Sequence, residues 1–149
     1  DKIIDDSFTN LIEKEKEYGI DDLNFYKNFT EKAEHIKNEF HAFLIDCKKR
    51  NLLVCGYGAA AKGNTLLNYS GVKKDLIKFV CDAAPAKQNK FLPGSNIPIL
   101  HPDILKQENN IDYVVIFPWN IADEVISQLD FLKIKGTKFV KAIPKLTII

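Results

Sequence analysis

Methionine is absent from all 149 residues, and the chain opens on Asp1, so it reads as a piece of a longer protein. No apolar run approaches the roughly 18 to 20 residues that cross a bilayer, and the opening DKIIDDSF has neither a basic nor a hydrophobic leader segment. No membrane partner is expected, and the cytoplasm is the expected location. A surplus of one charge is also missing. Lys and Arg number 21 against 20 Asp and Glu, and a formal charge of +1 gives no electrostatic footprint for nucleic acid. Cysteine is scarce and scattered: Cys47, Cys55 and Cys81 form no C-x-x-C pair and have no histidine at ligand spacing, so no metal site is expected within the chain. Cys55 and Cys81 fall in apolar runs, where a thiol packs as a small hydrophobe. His35, His41 and His101 show no nucleophile, base and orienter arrangement, so no catalytic residue is assigned.

What is present suffices for one folded unit, since 46% of the residues are hydrophobic. Residues 1–50 read as a helical segment and 51–149 as a Rossmann-like domain. Phe8, Leu11 and Ile12 mark a short helix over 7–18, with Ser7 as its cap and Gly19 as its stop. Tyr26, Phe29, Ala33, Ile36, Phe40, Phe43, Leu44 and Cys47 recur at spacings of three and four, which predicts one long helix over 23–49 started by Asp21 or Asp22. After Asn51 the pattern becomes strand and helix in alternation. Strands are expected at 52–55, 76–81, 97–100, 113–117 and 138–143, and helices at 59–69, 102–107 and 121–132. Such alternation predicts an α/β fold, a parallel sheet with helices on both faces. Residues 83–96 carry no helical pattern, and loops of that length are usually functional or mobile.

The first strand runs into Gly56-Tyr57-Gly58-Ala59-Ala60-Ala61-Lys62-Gly63-Asn64. Gly56-x-Gly58-x-x-Ala61 between a strand and a helix is the dinucleotide fingerprint: a tight turn, a close approach of backbone to phosphate, and a small residue where helix packs on strand. Amides at the helix start, aided by the dipole, form an anion site, and Lys62 adds a full charge. The alternative is that the small residues serve packing alone. Asp82 ends the second strand, 21 positions after Ala61, where an acid binds ribose in a NAD site; the alternative is that it begins a turn at Ala83-Ala84-Pro85. Phe117-Pro118-Trp119-Asn120 should face the glycine loop across the topological switch point. Trp119 could stack on a base or sugar or pack in the core; Asn120 with Asp123 suggests a helix cap. Lys87, Gln88 and Lys90 could reach phosphates from the opposite wall.

GYGAAAKGNTLLNY, then Pro85-Ala86-Lys87-Gln88, Pro93-Gly94, Ile97-Pro98-Ile99 and DYVVIFPWN with Ala122-Asp123-Glu124, resembles the C-terminal domain of bacterial S-adenosylmethionine-dependent C-methyltransferases, including those acting on nucleotide-linked deoxysugars. The resemblance extends through Phe25-Tyr26 and the long helix. It implies a three-part parent: a zinc-binding module, a central methyltransferase domain that binds S-adenosylmethionine, and this domain, with no cofactor of its own. It further implies that the domain helps hold a nucleotide-linked sugar against the upstream methyltransferase domain, a role falling on Gly56, Tyr57, Gly58, Lys62, Gly63, Asn64, Lys87 and Trp119. Asp82 and Asn120 complete the candidate set. Ala83 and Ala84 replace the polar pair the resemblance leads one to expect, which removes side-chain contact from that turn. Two other functions stay open: a NAD(P)-binding module using Asp82, or a docking or homodimerising domain without ligand.

Overall fold

A computed structural model describes residues 6–149. The chain divides into two compact units, one extending to His35 and one covering Ile36–Ile149. In the first, α1 (Asp6–Glu17) stops where the sequence predicts. Gly19 takes φ +71°, its amide bonds the Lys16 carbonyl at 2.9 Å, and the Ile20 amide bonds Glu15 at 3.3 Å. Those two bonds close the last turn around a left-handed residue, a conformation glycine adopts without steric cost. Ser7, expected as the cap, is already helical. The predicted single helix over 23–49 is two helices, α2 (Leu23–Tyr26) and α3 (Phe29–Lys49). Asp22 does cap the first, accepting from the Asn24 amide at 2.9 Å. The break follows Asn24, Lys27 and Asn28; asparagine competes for backbone bonds and interrupts helices that carry no buried stripe to hold them. Neither α1 nor α2 buries a residue.

The second unit is built on a seven-stranded sheet. Its strands are β1 (Val54–Tyr57), β2 (Val80–Cys81), β3 (Lys90–Phe91), β4 (Pro98–Leu100), β5 (Tyr113–Ile116), β6 (Lys138–Lys141) and β7 (Thr147–Ile148), in the order β3-β4-β2-β1-β5-β6-β7. The central five are parallel. The two edge strands are antiparallel, so the sheet is mixed where a parallel one was expected. The predicted strand over 76–81 shrinks to Val80 and Cys81, and the 83–96 stretch contributes β3.

Alternation along the strands supplies two cores. Val54, Val80, Ile99, Val115 and Val140 face the layer of α3 and α4 (Ala61–Tyr69), where Phe40, Leu44, Cys47, Leu66 and Leu67 are buried. Cys55, Cys81, Val114, Ile116 and Phe139 face the other layer, made by α5 (Ile104–Gln107), α6 (Ala122–Gln128) and α7 (Phe131–Ile134). Parallel strands buried on both faces read as unbroken apolar runs for this reason. The helix expected over 121–132 is a 3-10 turn, Trp119–Ile121, followed by α6 and α7, with Leu129 and Leu132 both reaching the second core. All three cysteines are buried; burial pushes the Cys47 thiol up to about 11 and the Cys81 thiol to about 12, which makes them inert packing groups.

Candidate functional site

The chain order β1, β2, β4 runs one way across the sheet, and β5, β6 run the other. The switch therefore falls between β1 and β5, whose ends Tyr57 and Ile116 are register partners. The loops beyond those two residues meet almost residue by residue. A Cβ placed on Gly56 would lie 2.5 Å from Phe117 Cε2 and 2.9 Å from Val80 Cγ2; on Gly63 it would lie 2.6 Å from Phe117 Cβ; on Gly58, at φ +88°, it would lie 2.5 Å from Pro118 Cδ. All are closer than any real Cβ contact. Packing against Phe117 and Pro118 thus accounts for all three glycines. The close-packed position on the helix is Gly63 rather than Ala61.

Lys62 is different. Its ammonium donates to Asn120 Oδ1 and sits 4.8 Å from the centroid of the Trp119 ring. Asn120 is thereby engaged across the crevice and caps no helix: α6 begins after Ile121 with no side-chain cap. Trp119 is half-buried, packed on the first core by part of its ring system and covered by Lys62 on another. Helix α4 starts at Ala61, two residues later than expected, and its cap residue Ala60 offers no side-chain bond. The first intrahelical bond is Asn64 N to Ala60 O at 3.0 Å, so the amides of Ala61, Lys62 and Gly63 precede the helical ladder. Asn64 Oδ1 is buried there without a hydrogen-bond partner.

The wall toward β2 is closed. Asp82, 7% exposed, accepts from Ala59 N at 2.7 Å, Ala84 N at 2.8 Å and Lys87 Nζ at 3.0 Å, while its own carbonyl accepts from Gln88 Nε2 at 2.9 Å. Burial alone raises this carboxyl, but the Ala84, Lys87 and Ala59 bonds outweigh it and hold it below the ordinary 3.8. Tyr57, half-buried at the end of β1, has its phenol pushed up by burial and then by the charge of Asp82. Lys87 faces Asp82; Lys90 donates to the Ala86 carbonyl at 2.6 Å. Neither ammonium reaches across the crevice to the Lys62 side.

The profile of the C-methyltransferase C-terminal domain family matches residues 2–144. This chain belongs to that family. It is 31% identical over 137 residues to the C-methyltransferase NovU of Streptomyces niveus, a match covering 91% of this chain and 32% of that protein. The chain therefore spans about a third of the length of the curated relative it matches.

Of the residues singled out from sequence, this C-methyltransferase C-terminal domain brings together Gly56, Gly58, Lys62, Gly63, Trp119 and Asn120, and draws Tyr57, Asp82 and Lys87 into the neighbouring wall. Phe117 and Pro118, the partners of the glycines, are not among the residues singled out from sequence; their apolar bulk within FPWN, at the end of the strand beside the glycine loop, is the signal that points to them. Asp82, the acid that a dinucleotide site would turn toward ribose, has three of its roughly four lone-pair sites engaged by protein donors on a nearly buried side chain. Among the described residues no group of three or more His, Cys, Asp or Glu could hold a metal ion, and no helix is long and apolar enough to cross a membrane.

Proposed function

We propose that this domain binds the nucleotide-linked sugar substrate of an S-adenosylmethionine-dependent C-methyltransferase, the methyl donor and zinc being held by other parts of the parent protein. The observation that carries the reading is the position of Lys62. Its ammonium is held by one amide oxygen and one ring face of the FPWN segment, and the residue itself lies in the first turn of α4, whose first three amides precede the helical ladder. A diphosphate offers the amides an ionised acceptor and the ammonium an opposite charge, in place of contacts in which only the ammonium is charged. Trp119, once uncovered, presents a ring to the base or sugar.

A thermal-shift and calorimetry panel tests this with thymidine and uridine diphosphate sugars, NAD, coenzyme A and S-adenosylmethionine. At 100 times its dissociation constant a ligand contributes about 2.7 kcal/mol, a rise of roughly 5 to 11 °C at this size. The diphosphate sugars should stabilise the chain, and Lys62→Ala should weaken them tenfold or more. Stabilisation by NAD or S-adenosylmethionine alone, or an unchanged affinity in the variant, contradicts the reading.

A second role is favoured by the first unit, where Phe8, Tyr18, Leu23 and Phe29 are each more than half exposed. Exposed apolar side chains of this kind suit docking on the upstream methyltransferase domain or on a second copy. Light scattering across concentration and titration with the separately produced upstream domain distinguish the two: self-association identifies the copy, and a monomer that binds the added domain identifies that domain.

A further inference from the structure

We infer that Asp82 is a positioning residue that fixes where the glycine loop begins to offer amides, and that it thereby restricts the site to ligands held on its β5 side; this rests on the nucleotide-sugar reading. The loop is stitched to the end of β2 one amide at a time. Gly58 N bonds Cys81 O at 2.7 Å, and Ala59 N bonds Asp82 Oδ2 at 2.7 Å. Ala60 N then bonds back to Gly58 O at 2.8 Å. Every loop amide before Ala61 is therefore consumed internally, and the available donors begin at Ala61, next to Lys62. The carboxylate in the middle of this stitch is nearly buried, and it also fixes the start of the following turn through Ala84 N.

Charge follows the same division. Lys87 is paired with Asp82, which cancels the charge of both at the β2 wall, while Lys90 donates to the Ala86 carbonyl and Lys62 carries the charge on the β5 side. A phosphate approaching the β2 wall meets a carboxylate that already takes up the Ala59, Ala84 and Lys87 donors; one approaching α4 meets amides outside the helical ladder and the Lys62 side chain. Lys87 is on this account part of the strut and not a phosphate ligand. The acid that a dinucleotide site would hold free for ribose is here part of the scaffold of the loop.

The test compares the wild-type chain with Asp82→Ala, Asp82→Asn and Lys87→Ala by two measurements: amide hydrogen exchange residue by residue, and affinity for uridine and thymidine diphosphate sugars and for NAD. Exchange at Ala59 and Ala84 should speed up at least tenfold in Asp82→Ala and less in Asp82→Asn, which keeps one acceptor, while Val115 in the sheet core keeps its wild-type rate. Affinity for the diphosphate sugar should fall tenfold or more in Asp82→Ala and less than threefold in Lys87→Ala. Wild-type exchange at Ala59 in Asp82→Ala, or faster exchange spread equally over the core, overturns the positioning role. Undiminished diphosphate-sugar affinity in Asp82→Ala overturns the restriction. NAD binding that Asp82→Ala abolishes returns the carboxylate to a ribose contact and also overturns it. A wild-type chain that binds no diphosphate sugar defeats the substrate reading, and the exchange rates then decide the role of Asp82 on their own.

Discussion

Toward β2 the glycine loop meets a buried carboxylate that engages two amides and an ammonium; toward β5 it meets one ring face and one amide oxygen, both holding the single ammonium of Lys62. Bonds close the β2 wall, whereas the β5 wall packs Phe117 and Pro118 against the glycines and is polar only where Lys62 meets Trp119 and Asn120. In the first, every bond ties one protein segment to another, and removing a partner strands buried groups. In the second, the bonds lie at an open mouth and have equivalents that a ligand can supply. Polar residues near a glycine loop are therefore not interchangeable as candidates; what separates them is whether their donors and acceptors are already engaged.

The contrast breaks most severely where the two loops interlock. Gly63→Ala places a methyl 2.6 Å from Phe117 Cβ, on a ring packed against the sheet, and should cost about 3 kcal/mol, a fall in Tm on the order of 10 °C by calorimetry.

Asp82→Ala comes next, at about 1–3 kcal/mol, because it leaves the amides of Ala59 and Ala84 without acceptors. The same group sharpens the comparison through pH. Its folded pKa lies below 3.8, so its stabilisation is complete above the unfolded aspartate value and is lost as pH falls through the folded one. Acid titration of stability should show a loss below about pH 4 that is smaller in the Asp82→Asn variant.

Much of this was readable in advance. The five parallel strands announced themselves as apolar, β-branched runs, and the switch point followed from their order, which set the FPWN segment opposite the glycine loop. The edge strands β3 and β7 were not readable: two residues each carry no periodicity, and Lys90 and Phe91 are exposed besides. The glycines announced a close approach but not its object, since a small residue says only that something is near. That object was Phe117 and Pro118. The partners of Asp82 were hidden for a related reason: two of them are backbone amides, which every residue but proline possesses.

Lys62→Ala should change stability by less than about 1 kcal/mol, because its amide-oxygen and ring contacts lie at a solvent-facing mouth. Smallest of all is Asp75→Asn. It removes the 2.6 Å ion pair with Lys48, in which both side chains are more than half exposed, and chemical denaturation should detect no more than a few tenths of a kcal/mol.

Trp119 is the one tryptophan in the chain, and the cation covering its ring is the group assigned to the diphosphate. Titrating its fluorescence with a uridine or thymidine diphosphate sugar reads the central claim most directly. A saturable change in emission that Lys62→Ala abolishes is the predicted result. Emission that stays constant while calorimetry shows the sugar nucleotide bound would contradict it.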